Sequence, residues 1–282
     1  MTPLTFTLEA FGASIAAGVL GSLLGLGGGI IVIPALTLLF KIDIRYAIGA
    51  SIVSVIATSS GAASAYVRER MTNLRVAMFL EIGTTLGALT GAYLAGRLDA
   101  RWLYVIFGVI MGYSALSMFR RRHERVGEPV PPDAIARRLR LHGAYYDPAL
   151  GREVEYEVTH SLVGLGLMYV AGVVSGLLGI GSGALKVPAM DLAMRMPIKA
   201  STATSNFMIG VTAAASAGVY LSRGDIDPFV AAPVAAGVLF GAVAGSHLLG
   251  RLHSRRIRVL FCIVLLWVSL QMLWKGVRWS HG

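Results

Sequence analysis

Thirty residues from Phe11 to Phe40 pass without one charged side chain, and further runs of that kind follow at Tyr46 to Val67, Val76 to Gly96 (interrupted by Glu81) and Trp102 to Phe119. About 20 apolar residues suffice for a helix to cross a bilayer, and in lipid only helices or closed barrels satisfy their own backbone groups. The second half of the chain repeats the series. Only 14% of residues are charged, against about 25% in soluble domains, while 55% are hydrophobic. Fifteen of the charged residues fall between Arg120 and Val158, so two apolar blocks flank one polar segment. These features predict an all-α polytopic membrane protein, with repeat 1 over 1–119, a polar cytoplasmic linker over 120–158 and repeat 2 over 159–282.

The two blocks are copies of one unit. An offset of 154 residues aligns them without a gap over about 100 positions, with roughly 29 identities. Gly18-Val-Leu-Gly-Ser-Leu-Leu-Gly-Leu-Gly-Gly-Gly29 lies over Gly172-Val-Val-Ser-Gly-Leu-Leu-Gly-Ile-Gly-Ser-Gly183, and Pro34, Ser51, Thr58 and Tyr66 lie over Pro188, Ser205, Thr212 and Tyr220. Shared apolar composition does not align Gly, Pro, Tyr and Arg together. An internal duplication of this kind is common in transporters.

The first segment of each copy fixes their relation. As one helix, Phe11 to Phe40 would run about 45 Å, too long for a hydrocarbon core of roughly 30 Å. The glycines from Gly25 to Gly29, followed by Pro34, mark a break, with Pro34 and Pro188 placed to start the second arms. A re-entrant hairpin leaves three full crossings per copy and makes the repeats inverted; a single crossing makes them parallel. With the linker's Arg120, Arg121, Arg122 and Arg125 inside, the inverted arrangement puts nine further Lys and Arg inside and seven outside, and the parallel one six and ten. The positive-inside rule favours inverted repeats, each with a Gly/Pro-broken re-entrant first segment and about three spanning helices.

The +10 net charge sits at segment ends, where it suits lipid headgroups; nucleic-acid binding is not expected. Cys262 is the sole cysteine, so no intrachain disulfide forms. No Lys or Arg precedes the first apolar run and no small-residue cleavage site follows, so a cleaved signal peptide is not expected. The linker reads as a solvated connector with a short helix-forming stretch from Ala134 to Leu141.

Glycine-rich breaks at mid-depth survive in lipid only when buried in protein or lining a wet cavity, so Gly27, Gly28, Gly29 and Pro34, with Gly181, Ser182 and Gly183, are candidate substrate contacts. The N–H groups and dipole at the start of a half-helix suit an anion. Lys186 is the one basic residue outside the linker that falls within an apolar segment, at the second break, where copy one has Val32. It is a candidate counter-charge for a bound anion; pairing with Asp191 or reach to the interface are the alternatives. Glu81, opposite Ala235, is either a snorkelling end residue or a proton or cation relay. Asp191 is a second coupling candidate, or a carboxylate in the first turn of the half-helix. Among the hydroxyl-rich segments, Ser51, Ser205 and Asn206 rank first as ligand contacts. The glycines Gly83, Gly87 and Gly91, with Gly237, Gly241 and Gly245, read as close helix packing.

The Gly-x-Gly-Gly-Gly-x4-Pro element at Gly25 to Pro34, its second copy at Gly179 to Pro188 and the Thr204-Ser205-Asn206 run resemble the sulfite exporter TauE/SafE family over both apolar blocks. The resemblance implies a multi-pass transporter of the cell inner membrane that exports sulfite, or organosulfonates such as sulfoacetate, with the glycine-proline elements near the path. A related thiosulfate branch relies on several cysteines, which this chain lacks. Two other readings stand beside it: a passive anion channel, and a membrane docking or assembly protein whose linker binds a partner. No catalytic pattern, cofactor motif or metal-ligand set is visible, so no enzyme, cofactor or metal is expected, and a homodimer is left open.

Overall fold

The computed structural model describes residues 3–24, 28–68, 71–120, 131–147, 151–181, 183–249 and 254–278. The first half comprises α1 (Pro3–Leu24), α2 (Gly29–Pro34) continuing into a π-helical turn (Ala35–Leu39), α3 (Ile44–Arg68), α4 (Leu74–Ala95) and α5 (Ala100–Arg120). The second half repeats that order in α7 (Ser161–Leu178), α8 (Gly183–Pro188) with its π turn (Ala189–Ala193), α9 (Ile198–Ser222), α10 (Pro228–Leu249) and α11 (Ser254–Val277). Between them lie α6 (Ala134–Leu139) and an antiparallel hairpin of β1 (Gly143–Asp147) and β2 (Arg152–Tyr156). The chain is therefore mostly helical, with one correction to an all-α reading: the linker carries this hairpin, in which Tyr145 and Val154 face the core and their neighbours face out.

Among the described residues, three helical stretches, Leu4–Gly21, Leu74–Ala95 and Ser161–Leu178, are long and apolar enough to cross a membrane. Their outer faces and those of α5, α10 and α11 expose large apolar side chains, among them Leu86, Val109, Leu162, Val170, Phe240 and Leu270. Such a belt would be a fault in water and is the normal surface of a protein solvated by lipid.

The two halves interlock. Helix α1 packs along α10 and α4 along α7, while α3 packs on α9 and α5 on α11. Glycine makes the tightest of these approaches. A methyl group at Gly87 would collide with the carbonyl of Tyr169, one at Gly91 with that of Val173 and one at Gly172 with that of Thr84. On the equivalent pair, Gly237 meets Phe11 and Ser14, Gly241 meets the Ile15 carbonyl and Gly18 meets that of Val238. Small residues that let helix backbones approach closely are how membrane helices associate without a hydrophobic drive between them.

Both second arms depart from the expected design in the same way. They start at Gly29 and Gly183, and Pro34 and Pro188 stand six residues in, as the last residues before the π turns. Proline has no N–H to give the carbonyl four residues back, so the regular ladder fails there and a wider turn follows. The first arms are long: α1 has 22 residues and α7 has 18. Each second arm is closed by a left-handed residue, Lys41 (φ 55°) or Arg195 (φ 57°), two positions that correspond under the offset.

The linker is folded onto the helices. Ala136, Leu141, Tyr145, Val154 and Val158 share a core with Val76, Ala77 and Leu80 of α4 and with Met168, Met190, Met194 and Met196. Two side chains fasten it. Asn73 caps α4 by accepting from Val76 N (3.1 Å), and its amide donates to Leu141 O (2.9 Å) and Tyr156 Oη (3.1 Å). Burial pushes the Tyr156 phenol up to about 12, so it stays a neutral partner at physiological pH. Asp133 caps α6 by accepting from Ala136 N (2.7 Å), and its second oxygen accepts from Ser161 N (2.7 Å) at the start of α7.

Partial burial pushes the pKa of Asp133 up, but the N–H donors of Ala136 and Ser161, the Ser161 hydroxyl and nearby His160 outweigh it and hold the carboxyl below the usual range. A carboxylate depressed in the folded state contributes stability above its unfolded value and loses it as pH falls through the folded one. Asp133→Ala is expected to cost about 1 kcal/mol near neutrality, the usual worth of a cap. The difference between wild type and variant should vanish on acidification below the ordinary carboxylate range, read as thermal unfolding midpoints across a pH series.

Candidate functional site

The two glycine breaks meet at the centre of the helix bundle. The Ser51 hydroxyl of α3 donates to Gly179 O (2.8 Å), so the end of α7 is tied to the middle of the opposite half. Gly29 faces the same spot: a methyl there would strike Ser51 Oγ and come within 2.9 Å of Val55 and 3.2 Å of Gly179 O. Gly179 (φ 62°) and Gly181 (φ 74°) adopt left-handed backbone, which lets the chain turn sharply out of α7, and Gly181 lies against Val55 and Ile209. Of the expected site glycines, Gly28, Gly29, Gly181 and Gly183 are thus carried by the converging breaks, while Gly27 and Ser182 lie outside the described residues. Pro34 is buried in the first of the second arms.

The hydroxyl-bearing helices divide. Ser54, Thr58, Ser59 and Ser60 bond to carbonyls of their own helix, the ordinary use of such side chains in membranes. Thr204 accepts from the Asn73 backbone N–H (3.1 Å) and so joins α9 to α4. Ser205 is different: its Oγ is buried and has no hydrogen-bond partner among the described residues. Asn206 beside it is 7% exposed. Along α9, Ser205, Ile209 and Thr212 recur at helical spacing and form one stripe.

At the end of that stripe lies a polar chain that joins three elements. Lys186 on α8 is 0% exposed, and its Nζ donates to Thr212 Oγ1 (2.6 Å). The same hydroxyl lies 2.7 Å from Glu81 Oε1 on α4 and 2.7 Å from Met208 O in its own helix. Thr85 also donates to Glu81 Oε1 (3.1 Å), whereas Glu81 Oε2 is buried without a partner among the described residues. Lys186 and Glu81 therefore face each other through one hydroxyl. The expectation that Glu81 snorkels to the interface gives way to an inward-facing carboxylate, and Lys186 turns to α9 and α4, away from the interface. Asp191 is in the π turn that follows Pro188, not in the first turn of the arm, because the arm begins earlier.

Thr212 is the residue that sequence reasoning undervalued. The signal was present: Lys186 and Glu81 are charges of opposite sign whose counterparts, Val32 and Ala235, are both apolar. Two unmatched opposite charges in an otherwise duplicated frame imply each other as partners. The counterpart Thr58 shows what the position does without them: it bonds only to Ser54 O (3.0 Å) and Val55 O (3.2 Å).

Among the described residues no cluster of His, Cys, Asp and Glu could hold a metal ion. The arrangement offers instead a buried ammonium, an uncommitted serine hydroxyl and a carboxylate with one free oxygen, beside backbone opened by glycine. Removing the central hydroxyl by Thr212→Val should strand both charges and lower stability by about 1–3 kcal/mol, the cost of unsatisfied buried polar groups. Thr212→Ser should restore most of it; unfolding midpoints of the detergent-purified variants measure both.

Comparison with known proteins gives a consistent answer. Residues 10–272 match the family described as Sulfite exporter TauE/SafE. The chain is 29% identical over 270 residues to the probable membrane transporter protein YunE of Bacillus subtilis, covering 93% of this chain and 96% of that one. It is 25% identical to a probable membrane transporter protein of Xylella fastidiosa strain 9a5c, covering 93% and 94%. It is 23% identical to the probable membrane transporter protein MJ0441 of Methanocaldococcus jannaschii, covering 91% of each. No solved structure matches.

Proposed function

The chain belongs to the sulfite exporter TauE/SafE family of membrane transporters, and from that premise we propose that it exports sulfite or an organosulfonate such as sulfoacetate from the cytoplasm across the inner membrane. The substrate site lies where the two glycine breaks converge, with Lys186 as the counter-charge and Ser51, Ser205 and Asn206 as neutral contacts. The observation that carries this reading is the full burial of Lys186 at the second break, with a hydroxyl in place of a carboxylate as its hydrogen-bond partner. An ammonium taken out of water at a cost of several kcal/mol is rare in a membrane and marks a ligand or ion path.

The repeats are read as inverted. Supporting this, the Phe6 ring near the start of α1 lies 5.6 Å from that of Phe40 at the end of the second arm, so the broken segment enters and leaves at one level. In the second copy Thr159 N, just before α7, donates to Met194 O at the end of its arm (3.3 Å). Gly18 and Gly28 both abut Val238, which sets the two arms side by side. Although α1 and α7 are each long enough to cross, each broken segment returns through its second arm toward the level where it began. The odd number of crossings thus comes from the three helices that follow in each half, and the linker lies on the face that carries the larger share of basic residues, the cytoplasmic one.

An inside-negative potential favours outward movement of an anion by about 2.3 kcal/mol per charge per 100 mV, which suits export. The test is thermal stabilisation of the purified protein by sulfite, sulfate, thiosulfate and sulfoacetate. A ligand held only by the folded state at 100 times its Kd adds about 2.7 kcal/mol. Sulfite or sulfoacetate should stabilise the wild type selectively and Lys186→Ala should lose the effect. Stabilisation that survives in the variant would remove Lys186 from the site.

A further inference from the structure

Glu81, Thr212 and Lys186 form a charge pair whose two members are separated by a single exchangeable hydrogen. Thr212 Oγ1 accepts from Lys186 Nζ (2.6 Å) and has one hydrogen to give, with two acceptors at equal distance: Glu81 Oε1 and Met208 O, each at 2.7 Å. When Glu81 is ionised the hydrogen points to Glu81. When Glu81 carries a proton, its own O–H can donate to Thr212 Oγ1 while the threonine hydrogen turns to Met208 O, the bond that Thr58 makes in the other half.

Among the described residues the surroundings supply no other charge to settle the carboxylate. Helix α7, packed along α4, brings only Tyr169 as a titratable group, and its hydroxyl lies 3.4 Å from that of Thr90. Helix α9 brings Lys199 in its first turn, over three turns from Thr212, and that lysine has a partner of its own. Arg75 of α4 donates to Arg140 O of the linker, Tyr156 meets Asn73, and Asp133 is committed to the starts of α6 and α7. Asp191, in the arm that carries Lys186, has an interaction of its own.

Resting on the anion-transport reading above, we propose that Glu81 takes up one proton when an anion binds Lys186, so that anion binding and protonation of Glu81 are coupled within the site. Unliganded, the buried site holds one positive and one negative charge. A negative headgroup arriving at Lys186 leaves Glu81 without its counter-charge, and one proton from solution on the Glu81 carboxylate restores the original balance. For the one negative headgroup that meets Lys186, bonds and charge are accounted for: one O–H forms on Glu81, the threonine hydrogen turns to Met208 O, and nothing is oxidised or reduced; a second charge on the ligand lies outside this balance. By linkage the effect is reciprocal, so protonation strengthens anion binding as the anion strengthens protonation.

The test is calorimetric binding of sulfoacetate to the detergent-purified full chain between pH 7 and 9, in buffers of different ionisation enthalpy. Sulfoacetate is fully ionised there, so any proton taken up belongs to the protein. Wild type should take up close to one proton per anion and lose about tenfold in affinity per pH unit where free Glu81 is ionised. In a Lys186→Arg background, whose guanidinium stays charged across this range, Glu81→Gln should bind with an affinity that no longer varies with pH. A wild type that binds without proton uptake, or a Glu81→Gln variant in that background that keeps the wild-type slope, overturns the coupling and leaves the anion reading standing. A wild type that binds neither sulfoacetate nor sulfite overturns both. Independently of the variant, dicyclohexylcarbodiimide attacks protonated buried carboxyls, so sulfoacetate should accelerate its attachment to Glu81 in the wild type at pH 8, followed by mass spectrometry. Unchanged or slower attachment counts against the proposal.

Discussion

Backbone that leaves a helix inside a membrane has no water to bond with, and every other feature at the centre of this protein answers that constraint. The chain breaks twice, at glycine-rich segments that correspond under a 154-residue offset. The freed groups are met by the protein itself: Ser51 covers Gly179 O, Tyr220 donates to Gly176 O (2.8 Å) and Leu177 O (3.1 Å), and Lys275 donates to Thr37 O (3.0 Å) in the first π turn. These partners come from helices distant in sequence, so the breaks are stable only once both halves have assembled. Interlocking of α1 with α10 and of α4 with α7 through facing glycines provides that assembly.

Duplication then does something that a single copy could not. It produces two equivalent breaks, and divergence at a few positions makes them chemically different. Around the first break the positions are Val32 and Thr58 of repeat 1 with Ala235 of repeat 2; around the second they are Lys186 and Thr212 of repeat 2 with Glu81 of repeat 1. The threonine is common to both, already bonded to its own helix, and becomes a bridge only where charges arrive on each side. Ser51 and Ser205 show a milder divergence, one tied to Gly179 O and the other without a partner among the described residues.

The polytopic helical architecture was legible because lipid enforces it on any chain with these apolar runs, and the gapless repeat exposed the element order of both halves. The glycines Gly83, Gly87, Gly91, Gly237 and Gly241 were read as packing residues, and the backbone carbonyls facing them explain why nothing larger fits. Local rules did less well where two of them compete. Proline favours a first helical turn, which suggested that Pro34 opens the arm, but glycine at Gly28 and Gly29 already frees the backbone, so the helix starts earlier and the proline works as a breaker inside it. The linker looked solvated because its charges are dense, yet alternate residues such as Tyr145 and Val154 are apolar and pack beneath the hairpin. Lys186 and Glu81 stand 105 positions apart, and their meeting through Thr212 is a property of the assembled bundle that no local pattern encodes.

The interposed hydroxyl has an energetic meaning. A buried carboxylate in direct contact with a buried ammonium attracts it strongly in a medium of low dielectric, and removing one partner of such a pair typically costs about 3–5 kcal/mol. A ligand that had to displace that carboxylate would lose much of its binding energy in doing so. With Thr212 between them the charges still compensate each other, but neither occupies the other's closest position, and the ammonium can be approached by a third group without first being stripped of an ion pair. The hydroxyl also offers its hydrogen to either of two acceptors at the same distance. The geometry therefore keeps two buried charges tolerable at rest while leaving the balance between them easier to shift than in a direct salt bridge.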